Sequence, residues 1–438
     1  VVSVYGQDNV IDEVVWVVGD EAILKSDVEN ERLNAQYEGR KFDGDPYCII
    51  PEQLAIQKLF LHQAAIDSIE VSEQEIISDV ERRTNWLIDQ IGSKEKVEEY
   101  YNKTSTQIRE MLRENIRDGK TVQKMQQQIV GDIKITPAEV RRYFKDLPQD
   151  SIPFIPTQVE VQIITMEPKI PQEEIERVKK TLRDYTERVT SGEIAFSTLA
   201  RLYSEDEGSR RRGGELGFMG RAELVPEYAN VAFNLQDPNK VSKIVESEFG
   251  FHIIQLIEKR GDRINTRHIL LKPKVDEKDL EAALLRLDSI ANDIRNEKFT
   301  FDDAATYISH DKDTRNNHGL MANPQTGTAR FEMQQLAQVS QEAAKMVEGM
   351  NVGEISKPFT MINAKGKEIC AIVKLKTRLN GHKATITEDY QRLKGIVMEK
   401  RSEEKLDKWI RDKQKHTYVR INEKWQKCDF KYPGWVKK

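Results

Sequence analysis

Leu199-Ala-Arg-Leu-Tyr-Ser-Glu-Asp206, Gly208-Ser209, Gly213-Gly-Glu-Leu-Gly217, Val225-Pro226, Ala232-Phe233 and Phe249-Gly-Phe-His252-Ile-Ile form a spaced series of short elements. A short helix ends at Ser-Glu-Asp before glycine-rich turns, and the series closes on an apolar strand that carries a histidine. Outward from this stretch the pattern of strand, long charged helix, loop and strands occurs twice. Phe196, Ala200, Ser204 and Asp206 recur as Phe301, Ala305, Ser309 and Asp311, all at a spacing of 105 residues. Leu216 and Leu320 each follow a glycine-containing turn, and Arg221-x-Glu-Leu224 answers Arg330-x-Glu-Met333. The units open on β-runs at Val159–Thr165 and His268–Leu271. They read as diverged duplicates.

On either side the composition changes. Val14–Val18 and Ala22–Leu24 around Gly19-Asp20 predict a hairpin. Ser26 with Glu29 and Ser72 with Glu75 fit a capping box, and Thr136-Pro137 suits a helix start. Leu54, Leu59, Leu61, Ala65 and Ile69 line one helix, so the first part is α-rich. Leu147 to Thr157 holds Pro148, Pro153 and Pro156 and reads as an extended linker. From Thr385 a long charged helix with Tyr390, Leu393, Val397, Leu406 and Trp409 inward precedes a closing strand, Tyr418–Ile421.

At 438 residues the chain has room for about three domains. Its net charge of -5, with 32% charged residues of both signs, excludes a nucleic-acid binder that works through a basic face. No stretch reaches the ~20 apolar residues of a membrane span. Val1, Val2, Val4 and Tyr5 before Gly6-Gln7 read either as the end of a secretory signal or as an ordinary terminus. Cys48, Cys370 and Cys428 allow at most one bridge, and no cysteine or histidine spacing suits a metal.

The quoted series resembles the parvulin family of peptidyl-prolyl isomerases over about a hundred residues. That resemblance implies a four-stranded antiparallel sheet wrapped by helices, a proline groove and no cofactor. It implies a pocket of Met219, Leu224 and Tyr228, with Phe249 and, in the second unit, Met333 as further substrate contacts, and Asp206 and His252 beside the amide. Rotation about an X-Pro bond breaks no bond and meets a barrier of ~18–20 kcal/mol from amide resonance, so a groove that prefers the twisted amide suffices. By itself Asp206 reads more readily as a residue that caps or turns the chain, and the surrounding signature reverses that reading. In place of the family's first-strand histidine the first unit has Gln162. The second unit has His268 and Asp311, but Cys370 stands for its last histidine and His318 replaces a glycine of the Gly-Gly pair. Two incomplete sites imply weak isomerase activity, or parvulin folds that only clamp peptide.

The order of parts, with the opening Val10-Ile-Asp-Glu-Val-Val-x-Val-Val-Gly-Asp-Glu-Ala-Ile-Leu-x-Ser-Asp-Val28, is similar to the SurA family of chaperones. The fold class expected is an α+β multidomain chain. An α-rich module (8–146) is completed by a C-terminal helix and strand (384–438), with parvulin-like domains at 157–261 and 264–378. The resemblance further implies a periplasmic location, unfolded outer-membrane β-barrel proteins and proline-containing peptides as clients, and the barrel assembly machinery downstream. It brings the outer segments together, and with them Cys48 and Cys428, in a compartment where disulfides persist.

Overall fold

The computed structural model describes residues 12–436, so the signal-like terminus at Val1–Gln7 lies outside the described residues. The chain divides into two compact units, one of residues 12–80, 106–151 and 385–436 and one of residues 81–105 and 152–384.

In the first unit β1 (Val14–Val18) and β2 (Glu21–Leu24) form the hairpin, turning at Gly19 with φ +59°. Helices α1 (Lys25–Tyr37), α2 (Pro46–Ile66), the start of α3 (Glu73–Ile91), α5 (Ser105–Val130) and α6 (Pro137–Asp146) follow, while the end of α3 and α4 (Lys94–Tyr101) belong to the second unit. Thr136 and Glu139 form a reciprocal capping box ahead of Pro137, and Ser72 accepts the Glu75 amide at 3.4 Å. Ser26 does not cap: it lies within the first turn and bonds Asp12, while Asp27 takes the free Leu24 amide at 2.9 Å.

The second unit opens with β3 (Phe154–Ile155) and β4 (Gln158–Met166). Then come α7 (Gln172–Thr190), α8 (Phe196–Tyr203), α9 (Glu207–Arg210), β5 (Glu215–Gly220), α10 (Pro226–Ala232), β6 (Val245–Ser247), β7 (Gly250–Arg260) and β8 (Arg263–Leu271). The repeat continues with α11 (Glu277–Arg295), α12 (Phe301–Tyr307), α13 (Lys312–Arg315), β9 (Phe331–Glu332), α14 (Met333–Val339), α15 (Gln341–Glu348), β10 (Phe359–Ile362), β11 (Glu368–Leu379) and β12 (His382–Lys383). Two four-stranded antiparallel sheets result, in the orders β5-β8-β7-β6 and β10-β11-β4-β9.

These orders correct the expected boundaries at 157–261 and 264–378, because the two units exchange their opening strands. Only Gly261-Asp262 separates β7 from β8, with Arg260 paired to Arg263 and Gly261 at φ +57°. A two-residue link between long strands can only form a hairpin. β8 therefore folds back along β7 and fills the central slot of the first sheet. β4 is left to pair with β11 from Gln158↔Leu379 to Met166↔Cys370. The first fold, α7 to β8, is thus nested within the second, which begins at β4 and resumes at α11. Each sheet is packed on both faces, the first by Val178, Leu182 and Leu199 on one side and by Tyr228, Ala232 and Ile264 on the other.

A second correction concerns the α-rich module, expected at 8–146. Residues 81–105 belong with the parvulin folds, since the end of α3 covers the open edge of β5. Asn85 donates to the Leu216 carbonyl at 3.2 Å, Glu81 accepts the Phe218 amide at 3.4 Å and Asp89 pairs with Arg212 at 2.7 Å. Edge strands carry unpaired backbone groups and are commonly blunted in this way.

The tail, α16 (Tyr390–His416) and β13 (Val419–Ile421), returns to the first unit, with β13 extending the hairpin sheet beside β1. Trp409 stacks on Phe60 at 4.8 Å, and Trp16 packs edge-on against Phe430 and Trp435. The buried Glu52 carboxylate accepts from the Lys431 and Tyr432 amides and the Trp435 indole at 2.8–2.9 Å, which satisfies its charge inside the core. Cys48 and Cys428 form a disulfide across 380 residues of chain.

Candidate functional site

The strand exchange decides which side chains meet. On β8, Ile264, Thr266 and His268 alternate onto one face, and on β7 His252 and Ile254 share it, with Ile254 opposite His268. Asp206 enters from the start of α9. It does two jobs, capping that turn by accepting the Gly208 amide at 3.1 Å and accepting His268 Nε2 at 2.7 Å.

From the carboxylate a continuous line of polar contacts runs through the sheet. Asp206 Oδ2 also accepts the Ser209 hydroxyl at 2.5 Å, His268 Nδ1 meets His252 Nδ1 at 3.0 Å, and His252 Nε2 meets the Ser247 hydroxyl at 2.6 Å. The imidazoles lie nearly parallel with centroids 5.2 Å apart. Tyr228 stands almost perpendicular to both at 5.6 Å, its hydroxyl bonded to Thr266 at 2.9 Å.

The proton order follows from what each atom can do. A carboxylate only accepts, so His268 Nε2 carries hydrogen. Between the two Nδ1 atoms one ring donates and the other accepts, His252 Nε2 shares a hydrogen with the Ser247 hydroxyl, and the Ser247 oxygen also takes the Phe249 amide at 3.1 Å. Burial, and then the nearby His268, push the His252 imidazole down to about 3 against the pull of Asp206, so His252 is neutral at pH 7. Burial would raise Asp206, but the bond and charge of His268, with Ser209 and the Gly208 amide, outweigh it and hold the carboxyl well below its ordinary range. Burial raises the Tyr228 phenol, which stays protonated.

The apolar side of the site lies on the same face. Met219 pairs with Ile264 across the β5–β8 ladder, and Leu224 packs on the cluster of Tyr228, Ile254 and Ile264. Phe249 is half-buried in the β6–β7 turn. Close approach of β5 to β8 depends on Gly214, at φ +82°, where a Cβ would stand 2.2 Å from the His268 carbonyl oxygen.

The second sheet repeats the backbone pattern without the imidazoles. His268 donates its amide to Gly214 and Leu270 to the Ser204 hydroxyl; Ile163 and Thr165 do the same to Gly319 and Ser309. Ile163, not Gln162, is therefore the counterpart of His268. Likewise the Ile254 carbonyl takes the Ser242 amide as Val373 takes that of Ser356, which makes Ala371, not Cys370, the counterpart of His252.

Both readings were displaced by one residue, and in a strand that shift reverses the face. Gln162 points away to bond Asp302 at 2.6 Å and the His318 carbonyl at 2.8 Å. Cys370 packs with Ile164, Met166 and Leu287, and burial raises its thiol to about 11. Asp311 keeps its turn, accepting Thr314 Oγ1 at 2.6 Å, but the groove face opposite carries Ile163 and Ala371 in an apolar cluster that Met333 flanks. His318 holds the glycine-like turn at φ +54°.

His268 thus joins Asp206 and His252 rather than Asp311, and one site holds all three groups. Ser209, Ser247 and Thr266 carried no signal of a role. The two-residue spacer Gly261-Asp262 between apolar runs was the signal for His268, because it dictates a hairpin.

A four-stranded antiparallel sheet with helices on both sides, a paired imidazole face and an adjoining carboxylate is a parvulin-type rotamase domain. The rotamase family described as the PPIC-type PPIASE domain matches residues 163–258 and 268–377. The chain is 24% identical to Chaperone SurA of Aliivibrio fischeri over 96% of its own length and 94% of that protein. It is 25% identical to Chaperone SurA of Salmonella typhimurium and of Escherichia coli O6:H1, over 72% of this chain and 75% of each. Residues 163–258 and 268–377 are thus PPIC-type rotamase domains, and over nearly its whole length the chain is similar to Chaperone SurA.

Proposed function

We propose that the chain is a periplasmic folding factor that holds unfolded outer-membrane proteins and isomerises their X-Pro bonds at one site, built by Asp206, His252 and His268. The line of contacts Asp206–His268–His252–Ser247 carries this reading. A rotating amide loses resonance, and its nitrogen gains a localised lone pair. A largely buried array of hydrogen-bonding groups beside an apolar wall suits that state better than the planar one. Tyr228, Met219 and Leu224 supply the wall for proline, with Phe249 at its rim. The second fold, with Ile163 and Ala371 facing its groove, clamps peptide without turning it over, and Asp311 there only caps its turn. The Cys48–Cys428 disulfide supports an oxidising compartment.

The experiment is an isomerisation assay on a proline tetrapeptide with the full chain. His268→Ala should lose at least tenfold in kcat/KM, as Asp206→Ala should, while Asp311→Ala keeps the parent rate. Equal rates in the parent and a folded His268→Ala would overturn the assignment. Suppressed aggregation of an unfolded outer-membrane protein by His268→Ala would still support the chaperone role.

A further inference from the structure

The β10–β11 turn of the second fold reaches the rim of the first fold's site. Asn363 orders this turn: its Oδ1 accepts the Lys365 and Lys367 amides at 3.0 and 2.9 Å, and Gly366 adopts φ +70°. At its tip Lys365 Nζ pairs with Glu248 at 2.5 Å. The next carbonyl, of Gly366, accepts Lys272 Nζ at 3.3 Å.

Those two partners flank opposite ends of the polar line. Glu248 directly follows Ser247, whose hydroxyl holds His252. Lys272 directly follows β8, and its amide donates at 2.5 Å to Glu205, the neighbour of Asp206. A single turn from a fold without imidazoles therefore spans the Ser247 end and the Asp206 end of the other fold's site. Glu248 first, against the opposing effect of burial, and then Asp313 and Asp311 of the second fold raise the Lys365 ammonium, so the contact is made by a cation at neutral pH.

We infer that Lys365 is a positioning residue for the isomerase site, clamping the Ser247–Phe249 turn through Glu248 so that Ser247 stays within reach of His252. This rests on the reading of Asp206, His252 and His268 as the active site. It gives the second fold a role beyond holding peptide, as the brace of the first. The pair is about one-third exposed, so its effect is modest and falls with salt.

The test uses the full chain with 15N-labelled imidazoles, compared for the parent, Lys365→Ala, Lys365→Arg, Glu248→Ala and the double alanine variant. Lys365→Ala should shift the His252 ring resonances and lower kcat/KM about threefold, the scale of a partly exposed ion pair. Glu248→Ala should do the same, the double variant no more than either, and Lys365→Arg should restore both readouts. Unmoved His252 resonances in Lys365→Ala, or losses that simply add in the double variant, would refute the clamp. A parent with no isomerase activity sinks the functional assignment instead, and the resonances alone then decide this inference.

Discussion

Acidification from neutral pH should loosen the first parvulin fold through His252. In the folded protein its imidazole is pushed from 6.5 down to about 3, chiefly by burial, so the unfolded chain binds more protons below pH 6.5. Stability then rises with pH across the window from about 3 to 6.5, and it is fully present above that window. Each pH unit within it is worth about 1.4 kcal/mol, so a drop from pH 7 to pH 5 should cost the fold about 2 kcal/mol. Asp206 is also depressed, so its stabilisation is fully present above its unfolded value of 3.8 and is lost only as pH falls below it, outside the range from pH 7 to pH 5. Hydrogen exchange of the β7 and β8 amides in the full chain, corrected for intrinsic rates, reads the local opening free energy at both pH values. His252→Gln keeps hydrogen-bonding capacity but cannot titrate, so its slope between pH 5 and 7 should be smaller than the parent's. A parent and a His252→Gln variant with the same slope would show that another group carries the dependence and that His252 is not buried as described.

Further outcomes follow from other parts of the fold. Gly214→Ala puts a Cβ 2.2 Å from the His268 carbonyl and should destabilise the first fold by roughly 2–4 kcal/mol, abolishing isomerisation, as thermal unfolding and the tetrapeptide assay would read. A fragment of residues 172–271 retains β8 and should fold with His268 in place. A fragment of 157–261 can fold only by returning β4 to the sheet, and it should be at least tenfold less active because Ile163 then occupies that position. Comparable activity of the two fragments would contradict the strand exchange. Reduction of Cys48–Cys428 should lower the stability of the first compact unit by about 2–4 kcal/mol, as urea unfolding followed by tryptophan fluorescence would measure.

Local patterns were legible in the chain itself. The hairpin at Val14–Leu24, the helix start at Thr136-Pro137 and the 105-residue recurrence each depend on neighbours in sequence or on a fixed period, and each stands in the structure. The α+β class and the parvulin signature were legible for the same reason. What the chain in linear order could not settle was pairing between distant strands. Two nearly equivalent opening strands compete for two nearly equivalent slots, and their own residues satisfy either sheet. The choice falls to the two-residue Gly261-Asp262 turn, which joins β8 to β7 as a hairpin and so leaves that place closed to β4. That commitment moves His268 from the side of Asp311 to Asp206, and so converts two incomplete sites into one site with both imidazoles. The same limit applied to faces: a one-residue offset on β4 and β11 exchanged Ile163 for Gln162 and Ala371 for Cys370, because side chains alternate with a period of two. Only the tertiary hydrogen bonds from Gly319 and Ser356 fix that register, and they join residues far apart in the chain.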